Sequence, residues 1–409
     1  MAIVHFCLML KLSLPINNNI TMTTTAPTFV QKFTVAMIGF FAFLQVYSVQ
    51  AILPILKTDL NASEVQIGIA VGATVMAIAM MSPFMGMLSD AFGRKRFIVG
   101  SLLLLAIPTL MIGMANSVDG LSFWRFLQGL SVPGITVVLI AYIGEEYKDH
   151  LATMMSLYVA GTVLGGFSGR FFAGHLHELI GWRSGYVVMA FLTLVGAVWV
   201  LKTLPTSINF KKSENFSKAL RTLLSHTKNR HVMSACLLGG CVLFSLVGCF
   251  TFINLHLSEN PHHLSASQLA NIFALYLIGM VITPLSGKLI ARFGMTNTII
   301  FAVSCSMMGV LITLTTPLWL IIVGLTVMSS GVFITQSATI SYIASHVNEG
   351  RSLASGLYYM GYYGGGSIGA WVCAIAYKYG QWTYTVMTIA IVQVMALAVV
   401  MLLMKKAKE

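Results

Sequence analysis

From residue 34 onward, polar positions in this chain serve mainly as punctuation between apolar runs. Runs of about 18 to 25 residues recur, each long enough to cross a hydrocarbon core of ~30 Å. They cover 34–56, 65–88, 97–115, 121–144, 152–176, 184–204, 232–257, 267–290, 297–315, 317–345, 352–377 and 382–404. The pattern predicts an all-α membrane protein with twelve transmembrane helices, the tenth longer than its membrane-embedded part.

The stretches outside these runs set the domain boundaries. Residues 1–33 read as a cytoplasmic amino-terminal extension. Ala2 to Leu14 is apolar but short and interrupted by His5 and Lys11, and Pro15 and the polar Asn17 to Thr25 stretch separate it from the first long apolar run. Translation is expected to begin naturally at Met22. Residues 34–204 and 232–404 form two six-helix bundles, joined by a cytoplasmic linker over 205–231 and followed by a tail, 405–409. The linker carries Phe216, Ala219, Leu220, Leu223 and Leu224 at helical spacing, interleaved with Lys218, Arg221 and Lys228. This predicts a short amphipathic helix on the anionic inner leaflet, a spacer between the bundles.

Composition agrees. The chain is 57% hydrophobic and 9% charged, with a mean hydropathy of +0.85, whereas soluble domains are roughly 25% charged. A net charge of +12 raises the question of nucleic acid, and the placement of the charges answers it. With both termini inside, every Lys and Arg is cytoplasmic except Lys57, Arg183 and Lys378 outside and Arg125 and Arg170 within spans. The positive-inside rule accounts for the excess, and no nucleic-acid partner is implied. The expected location is the cell's inner membrane. Cys7, Cys236, Cys241, Cys249, Cys305 and Cys373 show no paired ligand spacing, so neither a metal site nor a disulfide framework is expected. They read as small buried hydrophobes.

Shifting the chain by 200 residues lays one half on the other. Tyr142-Ile143 meets Tyr342-Ile343, Leu157-Tyr158 meets Leu357-Tyr358, Gly161, Gly165 and Gly169 meet Gly361, Gly365 and Gly369, and Trp182 meets Trp382. A shift of 201 brings Pro83, Gly86, Leu88, Phe92 and Gly93 onto Pro284, Gly287, Leu289, Phe293 and Gly294. The six shared glycines of spans five and eleven are candidates for close helix packing. Charge breaks the repeat: Asp90 maps to Ala291, Arg94 to Met295, Arg125 to Leu325 and Arg170 to Ala370.

Between spans two and three stands Gly86-Met87-Leu88-Ser89-Asp90-Ala91-Phe92-Gly93-Arg94-Lys95-Arg96. It resembles the signature loop of the major facilitator superfamily: glycine, leucine two residues on, aspartate, then glycine, arginine and a second basic residue. The resemblance implies two parallel six-helix halves with a binding site at the midplane between them. It also implies gating by Gly86, Asp90, Gly93 and Arg94, with Asp90 as a latch that closes the inner side. Glu145, Glu146 and Asp149 are candidate acceptors for the basic loop residues. Arg125-Phe126-Leu127-Gln128-Gly129 is similar to the fourth-span motif of proton-driven members, which ties Arg125 and Gln128 to proton coupling. The alternative is a structural arginine bonded to backbone carbonyls or to a neighbour such as Gln50. Arg170 closes Gly161-x-x-x-Gly165-Gly166-x-x-Gly169-Arg170, where efflux members carry a proline that is absent here. That variant, with Gln50-Ala51-Ile52-Leu53-Pro54, resembles the YnfM-type efflux transporters, also called the acriflavin-sensitivity family.

The acids are informative by position. All twelve Asp and Glu fall in loops or near span ends, so no midplane carboxylate is available to bind a lipophilic cation, and two embedded arginines would repel one. Candidates for the cavity are Gln45, Tyr47 and Gln50 in the first span, Asn254 in the seventh, Gln336 in the tenth, and Tyr359 and Tyr362 in the eleventh. Tyr358 and Tyr362 share one helix face and Tyr359 and Tyr363 a neighbouring one. His256 reads as interfacial. The first reading is a monomeric secondary transporter of a small organic molecule, coupled to protons and exporting by alternating access, without cofactor. A second is a carrier of organic anions or zwitterions that uses Arg125 and Arg170. A third, of another class, is a membrane sensor that has lost turnover. No nucleophile with a partnered base suggests an enzyme.

Overall fold

The computed structural model describes residues 27–207, 216–347 and 351–404. The segment holding Met22 and the tail lie outside them. The first span divides into α1 (Phe29–Leu44), a 3-10 turn (Ser48–Ile52) and α2 (Leu53–Asp59), bent by 45°. Then follow α3 (Glu64–Phe92), α4 (Arg94–Gly113), α5 (Val118–Glu146), α6 (Leu151–Ile180) and α7 (Trp182–Thr203). The second half holds α8 (Phe216–His226), α9 (Arg230–Ser258), α10 (Ala266–Ile272), a 3-10 turn (Phe273–Leu277), α11 (Ile278–Phe293), α12 (Met295–Ile312), α13 (Leu318–His346) and α14 (Arg351–Val399). The described chain is almost wholly helical. Among the described residues nine helices are long and apolar enough to cross a membrane, or ten with the bent first pair. α14 runs through two of the predicted spans and leaves helical geometry at Gly380 and Gln381.

Local chemistry explains where the helices start and stop. Thr28 with Gln31, Ser63 with Gln66 and Ser265 with Gln268 form reciprocal caps on α1, α3 and α10, each satisfying two otherwise unbonded N–H groups. Gly93 and Gly294, paired by the repeat, turn the chain at φ +84° and +77° between α3 and α4 and between α11 and α12. A side chain would be strained at either. Gly181 does the same at φ +80°, and its counterpart Gln381 adopts φ +51° without being glycine. The linker helix α8 buries Leu223 and exposes Leu224.

The shared glycines show why the repeat is kept. Gly161, Gly165 and Gly169 of α6 lie on α1, where a methyl group would sit 2.0, 2.2 and 1.9 Å from the carbonyl oxygens of Ala36, Phe40 and Leu44. Gly361, Gly365 and Gly369 of α14 lie on α9 in the same register. There a methyl group would come within 3.0 Å of the Cys236 carbonyl oxygen, 2.2 Å of that of Gly240 and 2.5 Å of that of Phe244. In both halves only the absence of a Cβ allows the backbones to meet.

The two halves touch unequally along their length. At the end opposite the Gly93 turn, α6 and α10 close on each other: a methyl at Gly174 would lie 2.5 Å from the Ala266 carbonyl oxygen, and Glu178 accepts the Ser267 N–H at 2.9 Å. α3 and α14 form a second seam, with Gly68 on Ala370 and the Ser367 hydroxyl donating to the Gly72 carbonyl at 2.9 Å. α6 makes little contact with α11, much of whose surface is exposed, whereas α3 and α14 meet along much of their length, with Gly356 beside Pro83 toward the basic end, where Arg94 to Arg96 lie.

Candidate functional site

The bend in the first span creates a demand that a distant residue meets. Where α1 stops, its last carbonyls lose their helical N–H partners, which is costly away from water. Arg125 of α5 supplies them. Its Nη1 donates to the Gln45 carbonyl at 2.7 Å, Nη2 to that of Val46, and Nε to that of Ala70 at 3.4 Å. Nη1 also donates to Gln128 Oε1 at 2.9 Å, and Gln128 Nε2 donates to the Thr109 hydroxyl at 2.8 Å. The fork of guanidinium donors suits several carbonyls at once, and the positive charge suits the carboxyl end of a helix dipole. The Arg125 guanidinium is thus bonded to backbone carbonyls of two other helices and to Gln128. Gln50 is not its neighbour but that of Arg170.

Arg170 sits one helix over, in a different setting. Its Nε donates to Gln50 Oε1 at 2.8 Å and its Nη1 to the Gly166 carbonyl at 2.6 Å. The guanidinium carbon lies 4.7 Å from the Tyr47 ring centroid, 4.6 Å from that of Phe273 and 4.4 Å from that of Tyr276. Such stacking on aromatic faces offsets part of the cost of taking the charge out of water. Gln50 Nε2 donates onward to the Thr251 hydroxyl at 3.0 Å. Arg170, Gln50 and Thr251 therefore bond the amino half to the carboxyl half, with Phe273 and Tyr276 of the carboxyl half covering the cation. Nη2 of Arg170 has no hydrogen-bond partner among the described residues. Neither buried guanidinium pairs with a carboxylate among them.

The remaining candidates scatter. Gln45 turns its amide away, toward α7, donating to the Thr193 hydroxyl at 3.1 Å. Asn254 is buried and returns its amide to the Phe250 carbonyl at 2.6 Å on its own helix. Gln336 is half-buried in α13. Tyr358, Tyr359, Tyr362 and Tyr363 occupy two faces of α14 yet form one aromatic cluster, with adjacent centroids 5.3 to 6.4 Å apart. Tyr358 packs into its own half, against Gly239, and Tyr359 and Tyr362 extend the cluster. The His256 ring stacks on Trp382, 5.7 Å away.

At the basic end Gly93 makes the turn and Arg94 is held from two sides. Its Nη2 and Nε meet the two carboxylate oxygens of Glu145 at 2.6 and 3.2 Å, and its Nη1 meets the Ser89 hydroxyl. The side chain of Asp90, the proposed latch, and the surroundings of Gly86 lie outside the described residues. Sequence reasoning missed Thr251, Phe273 and Tyr276. A signal existed in the last of these, a tyrosine within an otherwise apolar run, at the place where the eighth span tightens into a 3-10 turn.

A sequence profile described as Major Facilitator Superfamily matches residues 35–370 and 261–409. The chain belongs to the major facilitator superfamily. The inner membrane transport protein YnfM of Escherichia coli strain K12 is 31% identical over 365 residues, 88% of this chain and 87% of that protein. An uncharacterized transporter of Buchnera aphidicola subsp. Schizaphis graminum is 32% identical over 334 residues, 81% of this chain and 80% of its own. Among solved structures, a bacterial homologue of the human lysosomal transporter Spinster, inward-facing and unoccupied, matches with a TM-score of 0.73. It is 16% identical and covers 92% of this chain and 97% of its own, a likeness of fold. This major facilitator protein is an integral membrane protein of a transporter family.

Proposed function

We propose that this chain is a secondary active transporter that moves a small organic molecule across the inner membrane by alternating access. Twelve spans in two six-helix halves, 34–204 and 232–404, joined by the linker at 205–231, are its frame. α6 and the Gly380–Gln381 break in α14 support that count beyond the nine or ten helices long and apolar enough to cross. Both termini are cytoplasmic by the distribution of Lys and Arg. One observation carries the reading: α6 is locked to α10 at one end and makes little contact with α11 beyond it. Closure at one end with separation at the other is what rocking of two rigid halves about a midplane site requires. With the basic end cytoplasmic, the locked α6–α10 end is the outer one. The carrier works as a monomer, with protons as the coupling ion and export as the direction, in line with its likeness to YnfM-type transporters.

A second reading concerns the charge of the substrate. Among the described residues Arg170 Nη2, beside three aromatic rings, has no hydrogen-bond partner and no carboxylate neutralises it. This favours an organic anion or zwitterion over a lipophilic cation. The test is accumulation of a mixed panel of dyes, drugs and organic acids in cells with and without the protein, with and without a protonophore, followed by flux of the responding solute in proteoliposomes. Protonophore-sensitive loss from cells supports proton-coupled export, and the absence of any flux would favour the sensor reading. For Arg170→Ala we expect transport to fall at least about tenfold in a folded protein. Undiminished flux would remove Arg170 from the mechanism.

A further inference from the structure

The helix pair that carries the shared glycines is flanked differently in the two halves. In the carboxyl half, α9 and the two limbs of α14 leave a groove of about 430 Å³, open sideways to the bilayer. Leu237, Gly240, Met360, Gly361, Gly365 and Met395 line much of it, and Leu237 at its edge is 52% exposed. In the amino half the same register has Phe40 and Phe41 where the carboxyl half has Gly240 and Cys241. Those two rings pack against each other with centroids 5.2 Å apart, and Phe41 lies on Gly196. The amino half fills this position with its own aromatic side chains, whereas the carboxyl half leaves it to something else.

Size and charge say what fits. The walls are apolar, and an unfilled apolar recess forfeits dispersion contacts that hydrocarbon would restore. From Met233 to Phe244 the groove follows α9 for about 16 Å at the helical rise, close to one leaflet of a ~30 Å core. Arg230 stands at its basic end. It is exposed, and its Nη2 donates to the Leu402 carbonyl at 3.0 Å, tying α9 to the π-helical turn Val400–Met404 that follows α14. Its other N–H groups have no partner among the described residues. We propose that the groove is a lipid site: it holds one acyl chain of an anionic phospholipid of the basic-end leaflet, with the phosphate at Arg230.

The test is native mass spectrometry of the full-length protein in detergent with 1-palmitoyl-2-oleoyl phosphatidylglycerol or the matching phosphatidylcholine, alongside thermal unfolding. The wild type should retain one phosphatidylglycerol about fivefold more tightly than phosphatidylcholine and unfold at a higher temperature with it. Arg230→Gln should remove that preference. Gly240→Phe, which copies Phe40, should abolish the tight site. Leu237→Trp, at an exposed position, serves the same purpose should the ring introduced at position 240 crowd the Gly361 carbonyl. Equal retention of both lipids by the wild type, or unchanged binding in both groove-filling variants, would overturn the proposal.

Discussion

At Gly169 and Gly369 the two halves of this transporter do the same thing, since each lets a backbone carbonyl of a neighbouring helix occupy the space of a side chain. At positions 125 and 325 they part. Arg125 is fully buried and holds the broken first span, whereas Leu325 is equally buried and holds nothing polar. Arg170 lies under three aromatic rings, and its counterpart Ala370 packs against Gly68 across the seam. Arg94 grips Glu145, where the other half has Met295. Backbone spacing is the common inheritance and charge is the variable. The amino half uses buried charge to cap a bent helix and to reach the other half, and the carboxyl half meets that charge with Thr251, Phe273 and Tyr276.

The comparison can be broken most severely at the glycines. Gly169→Leu would push a side chain into the Leu44 carbonyl, and Gly369→Leu into that of Phe244. Each should cost more than about 3 kcal/mol and leave little folded protein by size-exclusion chromatography. Gly364→Ala, with nothing within 4 Å of the added methyl, should fold as the wild type does. Next in size is Arg125→Leu, which makes the amino half imitate Leu325. It strands the Val46 carbonyl and leaves that of Gln45 with only the Ser48 hydroxyl, so we expect a loss of about 2–4 kcal/mol and of transport, read by thermal unfolding and vesicle flux. Wild-type stability in that variant would mean that the bend needs no cap. The smallest effect sharpens the likeness instead. Gln381→Gly restores the residue type of Gly181 at a positive φ, and should stabilise by about 1 kcal/mol, seen as a modest rise in Tm.

How much of this was legible depends on the range over which each feature is specified. The apolar runs, the turn at Gly93 and the glycine register depend on residues close in sequence or on one repeated spacing, and the structure shows helices over those runs and the paired close contacts. The bend after Leu44 was not legible, because the polar Gln45, Ser48 and Gln50 mark no break by themselves and the group that makes one tolerable is Arg125, in another span. Gln45 looked like a cavity residue for the same reason. Its polarity is evident in the sequence, but the bend that turns it toward Thr193 is not. Phe273 and Tyr276 went unremarked because aromatic residues in an apolar run read as packing until a cation is found beneath them. The groove beside Gly240 could have been noticed by reading the repeat for lost volume as well as for lost charge.

The guanidinium that donates to the carbonyls of Gln45 and Val46 is about 80 residues further along the chain. A nascent chain emerges amino end first, so the first span enters the bilayer before the arginine that satisfies its bend has been synthesised. Gln50 waits longer, since Arg170 follows 120 residues later and Thr251 201 residues later. The first span is therefore completed by spans made after it, and during biogenesis its bend must keep company with water or a chaperone until Arg125 arrives.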